Sequence, residues 1–326
     1  MTGRQDITSL FEKHDIKTEY PIVLTLTDHM YPVKEKLELN WLDHAIPGFR
    51  EMFRLYRERG LPVKTITCTG SSNGLDGIIL YHLAKEAGIS PETIVITDGD
   101  ERLSEPASKN VFMNIRDNNV RIIHEAGYDA EPLIRRGITT DVAYANIPHL
   151  PDHDVDTSMG IAGSTFQRWD RLTSPVNIDC CRYLLAFQYV YLESMKKVLE
   201  PGRMTMLNLG GRMPWEQMVN LFNVTGYRME ELSTSFKEQT EFEETAGGYA
   251  AWERTTGTEF EYYPVDKVHT LIEKAGVRLP ITGEYGQELK NLIRRQKVSA
   301  NDALILNEYG MKMGHTVHLL GAVRKE

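Results

Sequence analysis

Apolar positions along the 326-residue chain change their period several times, and each change marks an element. Phe49, Met52, Phe53 and Tyr56 recur at three- and four-residue spacing, which places them on one face of a helix that Gly60-Leu61-Pro62 ends. The 60 residues up to that point read otherwise as helical and irregular. Val63–Thr69 is rich in β-branched residues and runs into Gly70-Ser71-Ser72-Asn73-Gly74. A helical stripe of Leu75, Ile78, Ile79 and Leu83 follows and stops at Gly88. Thr93–Thr97 then predicts a second strand, Arg102–Met113 a second helix, and Val120–His124 a third strand. Asp141–Ile147 is almost continuously apolar, as a strand covered on both faces is. A long helix is predicted from Ile178 to Leu199, then, after Gly202, a fifth strand at Met204–Leu209. Tyr227–Phe236 is a sixth candidate strand, Val265–Leu306 an interrupted helical region, and His315–Arg324 a last strand inserted late.

Strands alternating with helices imply an α/β fold with a doubly wound, mostly parallel sheet. The simplest assembly is an N-terminal helical cap or lid over residues 1–62 on a Rossmann-like domain over 63–326, with no linker between independent units. Charge and cysteine content add limits. Lys plus Arg is 37 and Asp plus Glu is 46, a net charge of −9, which argues against a nucleic-acid groove as the main feature and leaves a local basic patch open. The apolar runs are too short and interrupted for a membrane span, and Met1–Asp6 lacks a signal-peptide core, so no membrane partner is expected and a cytoplasmic location is. Cys68, Cys180 and Cys181 form no paired framework, which fits a reducing compartment. A small-molecule substrate is expected, and the oligomeric state is not legible.

Candidate chemistry collects after the predicted strands. Glycines in Gly70–Gly74 permit close backbone approach, and the helix behind them offers free N–H groups, although an ordinary strand-to-helix turn reads the same way. Asp98 follows the second strand directly, 24 positions after Gly74, where a carboxylate accepts two hydrogen bonds from ribose hydroxyls. Asp100 competes for that role, and a turn that caps the next helix is the plain alternative. The loop resembles the glycine motif of class I methyltransferases that use S-adenosylmethionine (SAM), with Cys68 where an acid is usual and Ser72 at the middle glycine. The resemblance implies that Gly70, Ser72, Asn73 and Gly74 hold the methionine portion and ribose edge, and that Asp129, in the loop after the third strand, accepts the adenine amino group. An NAD site stays open on Asp98 alone; the missing glycine counts against it.

The fourth strand ends in Asn146-Ile147-Pro148-His149. This resembles the Asn-Pro-Pro-aromatic motif of methyltransferases acting on amide or amine nitrogen, with two positions substituted. An asparagine oxygen and a neighbouring carbonyl fixed by proline together orient a nitrogen lone pair, which is catalysis by positioning. The bland reading is a strand end where Pro148 stops the ladder. Tyr183, Phe187, Val190 and Tyr191 recur at helical spacing, and core packing explains Phe187. The chain is similar to the azetidine-2-carboxylate synthases, which cyclise SAM with release of methylthioadenosine. That resemblance implies Asn146 as the holder of the SAM amine and Tyr183 as a shield for the sulfonium; Pro148 of the fourth-strand motif is expected in the cofactor site, and Thr27–Pro32 reads either as an ordinary loop between cap helices or as a lid with Tyr31 as its contact. Methyl transfer to a small-molecule, amide or amine nitrogen is the alternative, and a non-catalytic SAM-binding module a further one. The polar run His149, Asp152, His153, Asp154 and Asp156 reads as a solvated loop, so no metal is expected. Gly160–Gly163 through Trp169 reads as a flexible acceptor loop, with Arg168 and Arg171 able to meet a carboxylate or to face solvent.

Overall fold

The structure, a computed structural model, describes residues 3–151, 166–169, 172 and 175–325. Seven strands form the body of its main sheet: β1 Thr65–Thr69, β2 Thr93–Asp98, β3 Arg121–Ala126, β4 Thr140–Ala145, β5 Leu199–Gly211, β6 Arg228–Glu238 and β7 Met313–Val323. Their spatial order is 3-2-1-4-5-7-6, and the two-residue strand Ile281–Thr282 extends the β6 edge. Strands β1 to β5 pair in parallel, and β7 lies antiparallel between β5 and β6. The order departs from the dinucleotide-binding order 3-2-1-4-5-6 by that one wedged strand. The late insertion expected for His315–Arg324 is what the pairing shows.

Strand parity divides the core between the faces of the sheet. Val142 and Tyr144 of β4 and Met204 and Met206 of β5 point to a layer with helices α1 Trp41–Glu58, α2 Leu75–Glu86 and α3 Glu101–Ile115. Ala143, Ala145, Leu207 and Leu209 point the other way, toward α4 Ala186–Met195 and α5 Trp215–Val224. The ring of Phe49 meets that of Tyr144 edge-on at 5.0 Å, so α1 belongs to the sheet's own core. The remainder of the first 62 residues forms a hairpin of strands Gly3–Asp6 and Val23–Leu26, which the apolar pattern did not predict, around a short helix Thr8–Lys13. A further helix, α6 Phe242–Thr256, packs with Ala300–Glu308 beyond the sheet's carboxyl edge.

The predicted helix Ile178–Leu199 is two helices. Asn177 caps Ile178–Arg182, and Leu184 at φ +60° turns the chain before α4 begins. Leu199 opens β5, which continues through Gly202 at φ +78° instead of starting after it. Both differences come from turns made by residues other than Gly or Pro, or by a Gly inside a strand, and apolar periodicity carries neither signal.

Tyr56 ties α1 to the sheet centre. Its hydroxyl donates to the Asp141 carbonyl at 2.7 Å and accepts from the Met204 N–H at 2.7 Å, fully buried. Tyr56→Phe leaves that N–H unpaired, and we expect a loss of about 1–3 kcal/mol of folding stability in urea unfolding. A loss below about 0.5 kcal/mol would remove this residue from the core account.

Candidate active site

Parallel strands bring their carboxyl ends to one edge, and loops there meet across the sheet. At that edge lies a cavity of about 720 Å³, with walls formed by the residues that follow β1, β2, β3, β4 and β5. Gly70 takes φ +69°, and a Cβ on it would overlap the carbonyl oxygen of Asn146. Only glycine therefore lets the loops after β1 and β4 touch. The N–H groups of Gly70 and Ser71 donate to the Thr97 carbonyl at 2.9 and 3.3 Å, which ties the same loop to β2.

Asp98 is buried at the mouth of β2. Its Oδ2 accepts from the Ser72 N–H at 2.9 Å and its Oδ1 from the Asp100 N–H at 3.0 Å. Each carboxylate oxygen keeps a lone-pair position for a further donor. Burial pushes its carboxyl up to about 6, against the lowering effect of those two backbone donors. Below the loop, Asp76 is buried and accepts from the Ser71 hydroxyl, and burial pushes it up to about 7. Asp100 caps α3 through the Arg102 N–H at 3.0 Å, so the capping alternative describes this residue.

A strap from the N-terminal segment crosses the cavity. The Tyr31 N–H donates to Ser72 Oγ at 3.1 Å, and Asn73 Nδ2 donates to the Tyr31 carbonyl at 2.9 Å. The Tyr31 hydroxyl donates to Glu241 Oε2 at 2.9 Å, and Lys34 pairs with the same carboxylate. The strap thus joins the β1 loop to the start of α6, with Tyr31, Pro32 and Val33 in the cavity wall. Asn40 holds its far end by accepting from the Lys34 N–H at 2.7 Å.

The β4 end supplies amides rather than charges. Asn146 Oδ1 accepts from Asn208 Nδ2 at 3.5 Å, and both side chains line the cavity. Ile147 turns into the core while its carbonyl accepts from Gln188 Nε2 at 2.9 Å, which fixes the backbone ahead of Pro148. His149 Nδ1 lies 3.2 Å from the Leu184 carbonyl, and burial followed by the nearby Arg212 charge pushes its imidazole down to about 3.

The residues expected from the sequence separate here. Tyr31, Gly70, Ser72, Asn73, Asp98, Asn146 and Pro148 come together in the cavity wall. Gly74, Asp129 and Tyr183 are not among the lining residues. Gly74 serves packing, since a Cβ on it would lie 2.5 Å from the Ala107 carbonyl of α3. Asp129 accepts from the Glu131 N–H at 3.0 Å at a helix start, and Ala126 and Tyr128 occupy the wall after β3 in its place. Tyr183 sits in the break before α4, with the Arg182 guanidinium 5.9 Å from its ring centre. Tyr191 is a core residue bonded to Thr205 at 2.9 Å. Arg168 lines the cavity, whereas Asp152, His153, Asp154, Asp156, Gly160, Gly163 and Arg171 lie outside the described residues. Asn208, Arg212, Trp41 and Tyr249 are wall residues that the sequence reading missed. For the first two a signal existed: a polar side chain at the carboxyl end of a buried apolar strand. Among the described residues no group of three or more His, Cys, Asp or Glu side chains is arranged to hold a metal, and no helix is long and apolar enough to cross a membrane.

No family model and no curated protein matches the chain. Several solved structures are similar to it. A SAM-dependent methyltransferase from Thiobacillus denitrificans, solved with S-adenosylhomocysteine, is 12% identical, with 84% of this chain and 90% of that chain covered and a TM-score of 0.35. The YcgJ protein from Bacillus subtilis is 10% identical, with 86% and 98% covered and a TM-score of 0.39. The [4+2]-cyclase SpnF is 12% identical, with 85% and 81% covered and a TM-score of 0.34. Strand order and polarity, rather than these superpositions, identify the fold as a Rossmann-like doubly wound sheet with one antiparallel strand wedged between β5 and β6.

The raised carboxyl of Asp98 has a pH signature. Below pH about 3 both folded and unfolded forms are protonated. As pH rises toward about 6 the unfolded chain ionises first, so the contribution of Asp98 to stability falls. We expect the stability of Asp98→Asn relative to the wild type to rise by roughly 1–3 kcal/mol between pH 4 and pH 7. Urea unfolding at the two pH values measures it, and a pH-independent difference between the proteins would contradict the buried-carboxyl assignment.

Proposed function

We propose that the cavity binds SAM and that the protein cyclises it to azetidine-2-carboxylate with release of methylthioadenosine. The observation that carries the SAM reading is the buried carboxylate of Asp98, anchored by two backbone N–H groups and keeping acceptor capacity on both oxygens. That is the donor–acceptor complement of a ribose diol. Tyr128, Ala126 and Leu103 supply apolar wall on the β3 side for an adenine ring. Gly70, Ser72 and Asn73 border the space between the β2 and β4 ends, where the sulfonium and the amino-acid carbons belong.

SAM supplies an electrophilic carbon attached to a sulfonium, a leaving group that departs as a neutral thioether. In the cyclisation the α-amine nitrogen forms a bond to the γ-carbon as the γ-carbon–sulfur bond breaks, and the ammonium first gives one proton to solvent. The role of the protein is to orient a neutral amine. Asn146 and Asn208 offer adjacent neutral amides, and the Ile147 carbonyl is held by Gln188, so no charged group competes for the lone pair. The strap through Tyr31 and Lys34 roofs the cavity and limits water at the reacting atoms.

Methyl transfer to a nitrogen acceptor is the second reading. The size of the cavity favours it: about 720 Å³ lies in the upper part of the range for small-molecule sites and leaves room beside a nucleoside.

Incubation with SAM alone, followed by mass spectrometry, separates the two. Cyclisation gives methylthioadenosine and azetidine-2-carboxylate in equal amounts. Intact SAM that binds and yields S-adenosylhomocysteine only when amines are added would establish methyl transfer instead. Asn146→Ala should slow turnover at least ~100-fold, a cost of about 3 kcal/mol, while SAM binding stays within about threefold. Near-normal turnover in that variant would remove Asn146 from the reaction.

A further inference from the structure

We infer that Arg212 is a carboxylate receptor that fixes the amino-acid end of SAM, an inference that rests on the SAM reading above. Arg212 follows β5 and lines the cavity, yet it is only 4% exposed. Its partners are all neutral. Nε and Nη2 donate to the Gln239 side-chain oxygen, and Nη2 lies 2.8 Å from His315 Nε2. His315 Nδ1 lies 2.7 Å from the Thr316 carbonyl and so carries the proton, which leaves Nε2 as an acceptor on a neutral ring. Nη1 lies 3.5 Å from the Tyr249 hydroxyl, and the Tyr262 hydroxyl is a further neutral partner of the guanidinium. Its five N–H donors therefore meet no carboxylate among the described residues.

A buried, unpaired guanidinium is costly, and a second buried cation adds to the cost. Lys237 lies behind the wall with Nζ 5.3 Å from the Trp41 ring centre and bonded to the Glu238 carbonyl. Burial followed by the Arg212 charge pushes its ammonium down to about 7. The nearest carboxylate on the strap side, Glu241, is already committed to Lys34 and Tyr31. This end of the cavity is therefore set for an anion. The guanidinium is also held in place: it folds back over Gly210, where a Cβ would overlap Nη1, and the ring of Tyr249 lies 5.1 Å from its carbon.

Strand order fixes what that anion is. Along the sheet edge the wall runs from Tyr128 after β3 to Asp98 at the end of β2, Gly70 after β1, Asn146 after β4 and Arg212 after β5. A nucleoside anchored by its ribose at Asp98 reaches Asn146 with its α-amine. The α-carboxylate, on the same carbon, then meets the next strand's guanidinium. Two contacts on one carbon stop its rotation, which is what an attack by the amine on the γ-carbon requires.

The test is calorimetric titration with SAM, with decarboxylated SAM and with methylthioadenosine of the protein carrying wild-type Arg212, in the Asn146→Ala background that binds SAM without turning it over. A charge-assisted pair predicts that decarboxylated SAM binds about 10–100-fold more weakly than SAM. In Arg212→Met and Arg212→Gln that ratio should fall to about threefold or less, with methylthioadenosine affinity unchanged. If SAM and decarboxylated SAM bind the protein with Arg212 equally, or if the ratio persists in a variant, the Arg212 assignment is overturned while nucleoside binding stands. If neither SAM nor methylthioadenosine binds, the SAM reading itself fails. Should both variants fail to fold, a crystal structure of the SAM complex decides: the α-carboxylate on the Arg212 guanidinium upholds the assignment, and the α-carboxylate on the Gly70–Gly74 loop overturns it.

Discussion

The constraint on which the site depends is the contact between Gly70 and the carbonyl of Asn146. Two loops from adjacent parallel strands approach until no side-chain carbon fits between them. A chain that pairs β1 with β4 must bring these loops to one edge, and the missing Cβ lets them meet as backbone against backbone. The geometry of the rest follows. Gly70 and Ser71 reach sideways to Thr97, Ser72 reaches Asp98, and Asn73 holds the strap at Tyr31. Asn146 is thereby placed next to Asn208 on β5 instead of turning into solvent.

Around that contact the buried charges are sorted by strand. Carboxyls collect on the β1 and β2 side, where burial raises both Asp76 and Asp98. Cations collect beyond β5, at Arg212 and Lys237. Between them the groups are neutral amides, and His149 is held neutral as well. A ligand with hydroxyls at one end and a carboxylate at the other satisfies both sides, whereas free water at these buried positions satisfies neither fully. This sorting is a polarity along the sheet edge, and under the proposed SAM reading it sets the direction in which the ligand lies.

Much of the fold was legible because buried parallel strands and amphipathic helices write strong patterns. The strands from Thr65 to Ala145 and the late strand from Met313 are visible as apolar runs. The hairpin at Gly3–Asp6 is not, since its first strand is polar and largely exposed and pairs through backbone alone. The break at Leu184 is invisible for a different reason: a bulky residue holds the left-handed conformation where Gly or Asn would announce it. In the site, Asp98 and Asn146 were readable because each directly follows a strand. Arg212 was not singled out, because its meaning lies in what it lacks. Only the structure shows that Gln239, His315 and Tyr249 surround it without a carboxylate. Tyr183, which the resemblance implied as a shield for the sulfonium, sits in the break before α4 and is not among the residues that line the cavity.

The most direct test of the whole arrangement is a crystal structure of Asn146→Ala soaked with SAM, a variant expected to hold the substrate without turning it over. The ribose hydroxyls should lie within hydrogen-bonding distance of Asp98, and the α-carboxylate should lie on the guanidinium of Arg212. SAM bound with its ribose away from Asp98, or with its carboxylate at the Gly70–Gly74 loop and Arg212 untouched, would contradict the account.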